Sequence, residues 1–252
     1  MNSQRRQRID AAFSGAHDYD RHAGVQRAVA RGLALRIAAL DLPANPRVLE
    51  IGCGTGFLTE ILAQQGCGGE WLVTDLSAEM VERCRARVSD APGRSFAVLD
   101  GEHGPRPQQA PFDLICSSLA LQWFEDLPAA VARLTQWLTP GGHLIFTTLA
   151  GETFSEWRAA HADEGVEAGT PRFPAAVTLQ PEPQMIDRVV EHHDSARDFL
   201  RSLKAIGAAT AAPGHRPLTP AELRRVMARF ERSGANATYE VVTCHYRRER
   251  EA

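Results

Sequence analysis

The chain has 252 residues, enough to bury a sizeable core as one large domain or as a domain with an inserted cap. Its 44% hydrophobic and 23% charged fractions are those of an ordinary globule, and no apolar run approaches the roughly 20 residues of a membrane-spanning helix. A net charge of -3 argues against a general nucleic-acid binder, which needs a basic excess to displace counterions from phosphates.

The polar start MNSQRRQRID lacks the apolar core of a signal peptide, so a cytoplasmic location is expected. Cys53, Cys67, Cys84, Cys116 and Cys244 are odd in number and too scattered for a zinc site, so reduced thiols and no metal are expected. The spacing of Val25, Val29, Leu33, Ile37 and Leu40 predicts a helix over 24–40, ended by Pro43 and Pro46. RVLEIG follows as a buried-strand run, and after the glycines Leu58, Ile61, Leu62 and Gln65 predict a helix that stops at Gly66. The unit repeats with WLVTD as a strand, Ser77 as an N-cap, and Met80, Val81, Cys84 and Val88 as a helical stripe. FAVLD is a weaker strand, followed by a Gly/Pro-rich loop from Gly101 to Pro111. FDLICSS predicts a strand, Leu127, Val131, Leu134 and Leu138 a helix, Pro140-Gly141-Gly142 a turn, and HLIFTTL another strand. Such alternation implies a parallel sheet covered on both faces.

Beyond Ala150 the pattern changes. A helix is expected around Phe154 to His161, then an irregular stretch with Pro171, Pro174, Pro181 and Pro183. QMIDRVVEHH reads as a strand, SARDFLRSLKAIGA as a helix, LTPAELRRVMARFERS as a helix capped by Thr219, and TYEVVTCHYR as a closing strand. The whole is expected to be one domain: an N-terminal helical lid (1–40), a cofactor-binding core (41–150), a cap (151–235) and a C-terminal strand (236–252).

In an open parallel sheet the ligand sits beyond the carboxyl ends of the strands, where the winding reverses, so LEIGCGTGF at 49–57 is the expected cofactor loop. A dinucleotide fingerprint would need glycine at position 57, which is Phe57. Asp75 ends the second strand, where one carboxylate can accept from both hydroxyls of a ribose. Glu50, Gly52, Gly54 and Gly56 form an E-x-G-x-G-x-G pattern that resembles the first motif of class I S-adenosylmethionine-dependent methyltransferases. That resemblance implies a Rossmann-like, doubly wound α/β sheet of seven mostly parallel strands with an antiparallel last strand. It implies S-adenosylmethionine as cofactor, its amino-acid end against Gly52, Cys53, Gly54 and Gly56 near Glu50. Its ribose would lie at Asp75 and Leu76, its adenine amino group at Asp100 beside Gly101, and its methionine portion facing Ser117 and Ser118. The bland alternatives are a helix-capping acid at Asp75 and a turn residue at Asp100.

FSGAHDYDRHAGVQ, SSLALQWFEDL, FTTLAGETFSEW and FLRSLKAIGA together look like the malonyl-acyl-carrier-protein O-methyltransferases of biotin synthesis. The segment 165–184 is shorter than in that family. The resemblance implies methyl transfer to the free carboxylate of a malonyl thioester, chiefly malonyl-acyl carrier protein, starting pimeloyl-chain assembly. A carboxylate of pKa about 4 is already ionised near neutrality, so no general base is expected, and the work is alignment and water exclusion. Tyr19, ahead of the first long helix, is the first candidate donor to that carboxylate, or else a half-buried anchor of the helix. His22 and Gln26 follow at helical spacing, and Gln122 and Trp123 follow the fourth strand, with Trp123 either at the acceptor or in the core. Lys204, the only lysine among 28 Lys and Arg residues, is a candidate contact to the acceptor or its carrier. Arg197, Arg201, Lys204, Arg216, Arg224, Arg225, Arg229 and Arg232 outnumber Asp198, Glu222 and Glu231, so an acidic carrier protein is expected to dock near Arg197, Arg201, Arg224 and Arg225. The rival readings are another small-molecule methyltransferase of this fold, acting on a different carboxylate or a quinone precursor, and a non-catalytic methyltransferase-like binding protein.

Overall fold

The computed structural model describes residues 19–88, 92–179, 185–206 and 214–250. A turn of helix, α1 (Tyr19–His22), precedes α2 (Gly24–Ala38), whose Val29, Leu33 and Ile37 are buried. The core then alternates β1 (Arg47–Ile51), α3 (Phe57–Gln64), β2 (Glu70–Asp75), α4 (Ala78–Arg87), β3 (Arg94–Val98) and β4 (Phe112–Ser118). A 3-10 turn (Leu121–Trp123), α5 (Leu127–Thr135) and β5 (Leu138–Leu149) follow, then α6 (Ser155–Asp163), β6 (Met185–His192), α7 (Ala196–Ala205), α8 (Pro220–Arg232) and β7 (Asn236–Arg247). Among the described residues no helix is long and apolar enough to cross a membrane.

The strands form one sheet in the order β3-β2-β1-β4-β5-β7-β6. β1 to β5 pair in parallel, and β7 runs antiparallel to both β5 and β6. Winding reverses between β1 and β4, which opens a crevice beyond their carboxyl ends. Leu33 and Ile37 of α2, Leu58 and Leu62 of α3, and Trp71 fill one face of the sheet. Phe112, Leu134, Phe146 and Val242 fill the other.

The cap has its own aromatic core. Trp157 of α6, Phe199 of α7 and Phe230 of α8 have ring centroids 5.2 to 5.3 Å apart. Val25 and Val29 from the start of α2 belong to the same apolar cluster, so the helix that follows the lid and the cap share packing. Thr219 and Glu222 form a reciprocal capping box that starts α8 after Leu218.

Three expectations need correction. The helix read as reaching Leu138 stops at Thr135, because Leu138 is fully buried as the first residue of β5, opposite Phe112. Pro140-Gly141-Gly142 is not a turn before the strand but a bulge within it, where the register against β4 slips between Phe112 and Leu114. β3 ends at Val98, so Asp100 stands two residues beyond the strand. Residues 1–18 of the lid reading, 180–184 of the shortened segment and the 207–208 end of the SARDFLRSLKAIGA helix lie outside the described residues.

Candidate functional site

The loop after β1 is a left-handed passage that glycine makes possible: φ is +70° at Gly52, +54° at Gly54 and +93° at Gly56. A Cβ on Gly52 would lie 2.3 Å from Ala120 Cβ, and one on Gly56 would meet Cys84 Sγ at 2.9 Å, so both glycines seat the loop against its neighbours. Nothing lies within 4 Å of a Cβ on Gly54. The outer glycines close the packing, and the middle one leaves room for a ligand.

The loop is held from the next strand. Gly54 N–H donates to Asp75 Oδ2 and Ser77 N–H to Asp75 Oδ1, each at 2.9 Å. Beneath it Glu50, only 1% exposed, accepts from Thr59 Oγ1 at 2.8 Å. Burial pushes the Glu50 carboxyl up to about 7, against the opposing pull of the Thr59 hydroxyl and the Arg94 charge.

Over this loop a cavity opens to solvent. Asp75, Leu76 and Met80 form one wall, Asp100 to Glu102 the next, and Ser118, Leu119, Trp123 and Phe124 the third. Asp100 Oδ1 accepts from the N–H groups of Glu102 and His103 at 3.0 Å, which folds the loop back over itself. Glu102 is 5% exposed; its Oε1 takes the N–H groups of Glu125 and Asp126 at 2.7 and 2.8 Å, while Oε2 is buried without a protein partner. Arg133 fixes the same loop by donating to the carbonyls of Gly101 and Gly104 at 2.6 and 2.8 Å.

Tyr19, Gln26 and Phe57 complete the cavity on the lid side. The Tyr19 ring stacks on Phe57 with centroids 6.4 Å apart, and burial, with Asp75 and Asp20 nearby, raises its hydroxyl pKa and keeps it protonated. The guanidinium groups of Arg27 and Arg87 each lie 4.7 Å from the Phe57 centroid. Asp20 accepts from Thr55 Oγ1 at 2.8 Å and pairs with Arg87, tying α1 to the glycine loop and to α4. Phe57 thus serves as the pier on which the lid rests.

Of the residues singled out in the sequence, Tyr19, Glu50, Gly52, Cys53, Gly54, Asp75, Leu76, Asp100, Gly101, Ser118 and Trp123 line this one cavity. Gly56 lies just behind it as the residue before α3. Ser117 points into the sheet packing, 1% exposed, because successive residues of a strand face opposite ways. Gln122 turns its amide to the Leu119 carbonyl at 2.6 Å, and His22 is exposed on α1. Lys204 stands exposed on α7 away from the cavity lining, since Phe199, Ser202 and Leu203 take the buried side of that helix. Of its two readings, contact to the acceptor or to the carrier, this position lies outside the cavity lining. Glu102 was missed; its signal is the Asp-x-Glu spacing with Asp100, hidden in a loop that reads as a plain Gly/Pro turn.

The donor set has a clear chemical bias. Glu50, Asp75, Asp100 and Glu102 line the cavity, and none of its described lining residues is Lys, Arg or His. A pyrophosphate would find no cation here, whereas a ligand with hydroxyls, an amino group and a positive charge would be well served.

A model of the methyltransferase domain family matches residues 49–144. The chain is 47% identical over 247 residues to the biotin biosynthesis bifunctional protein BioCD of Bordetella avium, which covers 96% of this chain and 52% of that protein. The chain therefore spans about half of that bifunctional relative. It is 43% identical to the malonyl-[acyl-carrier protein] O-methyltransferase of Magnetococcus marinus, over 96% of this chain and 92% of the relative. The corresponding protein of Halorhodospira halophila is 34% identical over 92% and 84% of the two chains. Among solved structures, the N-methyltransferase NodS of Bradyrhizobium japonicum, determined with S-adenosyl-L-homocysteine, superposes with a TM-score of 0.53 at 18% identity over 97% of this chain and 98% of its own. YcgJ of Bacillus subtilis gives 0.59 at 16% identity over 88% and 99%. These structural likenesses establish the class I methyltransferase fold.

Glu50 makes stability depend on pH in a stated direction. Between the ordinary carboxylate range and about 7 the folded state keeps a proton that the unfolded chain has released, so stability falls as pH rises through that window. Glu50→Gln removes the titration and keeps an acceptor for Thr59. In ligand-free protein the variant should gain about 3 kcal/mol on the parent between pH 4.5 and pH 8, measured by denaturant unfolding. A stability difference that does not change with pH would contradict the assignment.

Proposed function

This chain belongs to the malonyl-[acyl-carrier protein] O-methyltransferase family, and we propose that it moves the methyl group of S-adenosylmethionine onto the free carboxylate of malonyl-acyl carrier protein. The product is the methyl ester that serves biotin synthesis, and the enzyme works in the cytoplasm beside its carrier. The observation that carries the reading is the acid-lined cavity at the β1/β4 reversal, closed on its lid side by Tyr19.

The bound donor supplies an electrophilic methyl group on a cationic sulfur. The protein's part is binding and alignment. Gly54 leaves the backbone open for the amino-acid end, Asp75 at the end of β2 lines the place of the ribose hydroxyls, and Asp100 with Gly101 faces the base. Leu119, Trp123 and Phe124 give an apolar wall that excludes water from the path of transfer. Because the acceptor is already ionised, no side chain has to remove a proton. Tyr19 and Gln26 are neutral donors on the lid side that can orient the acceptor's carboxylate without quenching it as an arginine pair would.

Charge pairing selects the docking face. On α8 and just before it, Arg225 and Arg229 are engaged with Asp163 and Glu164, and Arg216 with Glu222. On α7, Arg197, Arg201 and Lys204 fall at spacings of four and three, so they form one exposed stripe, and among the described residues Arg201 alone of the three has an ion pair, with Asp198. α7 lies against α1, which carries Tyr19. The acidic carrier is therefore assigned to α7, with Arg224 at its margin, and Lys204 is taken on the carrier side of its two readings.

Incubation with S-adenosylmethionine, malonyl-acyl carrier protein and a panel of other carboxylates should add one methyl group to the malonyl substrate alone, read by mass. Reversing Arg201 and Lys204 to Glu should lower kcat/KM on the carrier-bound substrate about tenfold and leave a small malonyl thioester unaffected; equal losses on both substrates would dismiss the stripe. Tyr19→Phe should lower kcat about 10- to 100-fold at unchanged S-adenosylhomocysteine affinity, the worth of one hydrogen bond to a charged group. Full activity in that variant would assign Tyr19 to anchoring only.

A further inference from the structure

The charges around the cavity bear on the order of events as well as on the donor. Asp75 accepts from the N–H groups of Gly54, across in the glycine loop, and of Ser77, and Asp100 from those of Glu102 and His103 in its own loop. Glu102 differs, because one of its oxygens is satisfied by Glu125 and Asp126 while Oε2 is buried at the cavity wall without a protein partner. A buried carboxylate oxygen in that position is costly until something with a donor or a positive charge arrives. Arg133 acts on Asp100 and Glu102 from behind their loop, but among the described residues that line the cavity none is Lys, Arg or His.

The acceptor of the proposed reaction brings the opposite charge. A malonyl carboxylate entering the ligand-free cavity would meet Asp75, Asp100 and Glu102 along its wall, and like charges repel. We propose that Asp75, Asp100 and Glu102 form a charge gate that keeps the acceptor's carboxylate out until a donor with a cationic sulfur is bound beside them. The gate rests on the methyl-transfer reading and makes binding ordered, donor before acceptor. Tyr19 and Gln26 give the acceptor direction but no positive charge, so the charge state of the occupant decides whether the acceptor stays.

The same logic applies on the way out. In transfer the acceptor oxygen forms a bond to the methyl carbon, the carbon–sulfur bond breaks, and its electron pair remains on sulfur; no proton moves. The cation and the anion vanish together, leaving a neutral ester beside a neutral thioether. The attraction that held the acceptor is lost at the step that completes the reaction, so the ester is released without a further trigger.

The test uses the full chain and titrates a small malonyl thioester, malonyl-N-acetylcysteamine, by calorimetry. It is run on protein saturated with S-adenosylhomocysteine, and on protein saturated with the cofactor analogue that carries a protonated amine in place of the methylsulfonium. Affinity should be at least tenfold higher with the amine analogue, and the methyl ester of the same thioester should show less than a twofold difference. In Glu102→Gln the tenfold ratio should shrink as acceptor affinity on S-adenosylhomocysteine-loaded protein rises. Equal affinities in the two loaded states, or no binding with the amine analogue, would overturn the gate. Methyl transfer to the same thioester is followed in parallel with S-adenosylmethionine: transfer with equal affinities counts against the gate alone, and absence of transfer counts against the reaction on which it rests.

Discussion

The loop after β1 keeps its shape because the Asp75 carboxylate, at the end of the neighbouring strand, takes the N–H of Gly54 on one oxygen and that of Ser77 on the other. The parallel register of β1 and β2, with Ile51 opposite Thr74, brings that carboxylate level with the glycines. Asp75 thus organises two strand ends at once, and the polar groups aimed at the cavity stay fixed whether or not a ligand is there. Preorganisation of this kind is what a reaction without a general base needs from its protein, since the remaining task is to hold two partners in line.

The rest of the site is built outward from that clamp. Phe57, where a dinucleotide fold would have glycine, receives the Tyr19 ring and the guanidinium groups of Arg27 and Arg87. Asp20 binds Thr55 within the glycine loop itself. The residue that sets this loop apart from a phosphate-binding one is thus also the residue on which the lid rests. On the far side, Glu102 ties the loop after β3 to the segment following Trp123, so the base end and the acceptor wall are joined through one carboxylate.

Much of this was legible in the residues because it depends on local chemistry. Glycines at alternate positions after an apolar strand announce a tight left-handed loop, Asp75 ends β2, and Asp100 follows β3 by two residues. The misreadings share a cause in tertiary contacts that spacing does not encode. Leu138 continues the apolar stripe of α5, yet pairing with Phe112 draws it into β5. Ser117 and Ser118 look equivalent in sequence, but strand alternation sends one into the packing and the other to the cavity. Lys204 stands out by composition, whereas its place on the exposed side of α7 follows from which neighbours Phe199 and Leu203 find. Glu102 could not be weighed without knowing that Glu125 and Asp126 come to meet it.

If the Asp75 clamp defines the donor site, calorimetric titration of Asp75→Asn with S-adenosylhomocysteine tests it most directly. An amide at this position presents an N–H to one of two N–H groups that need an acceptor, so the loop should lose its shape. The account predicts that affinity falls at least tenfold in protein that circular dichroism shows to be folded, the scale of one charge-assisted hydrogen bond of about 1.5–3 kcal/mol. Binding within about threefold of the parent, on the same scale, would contradict it.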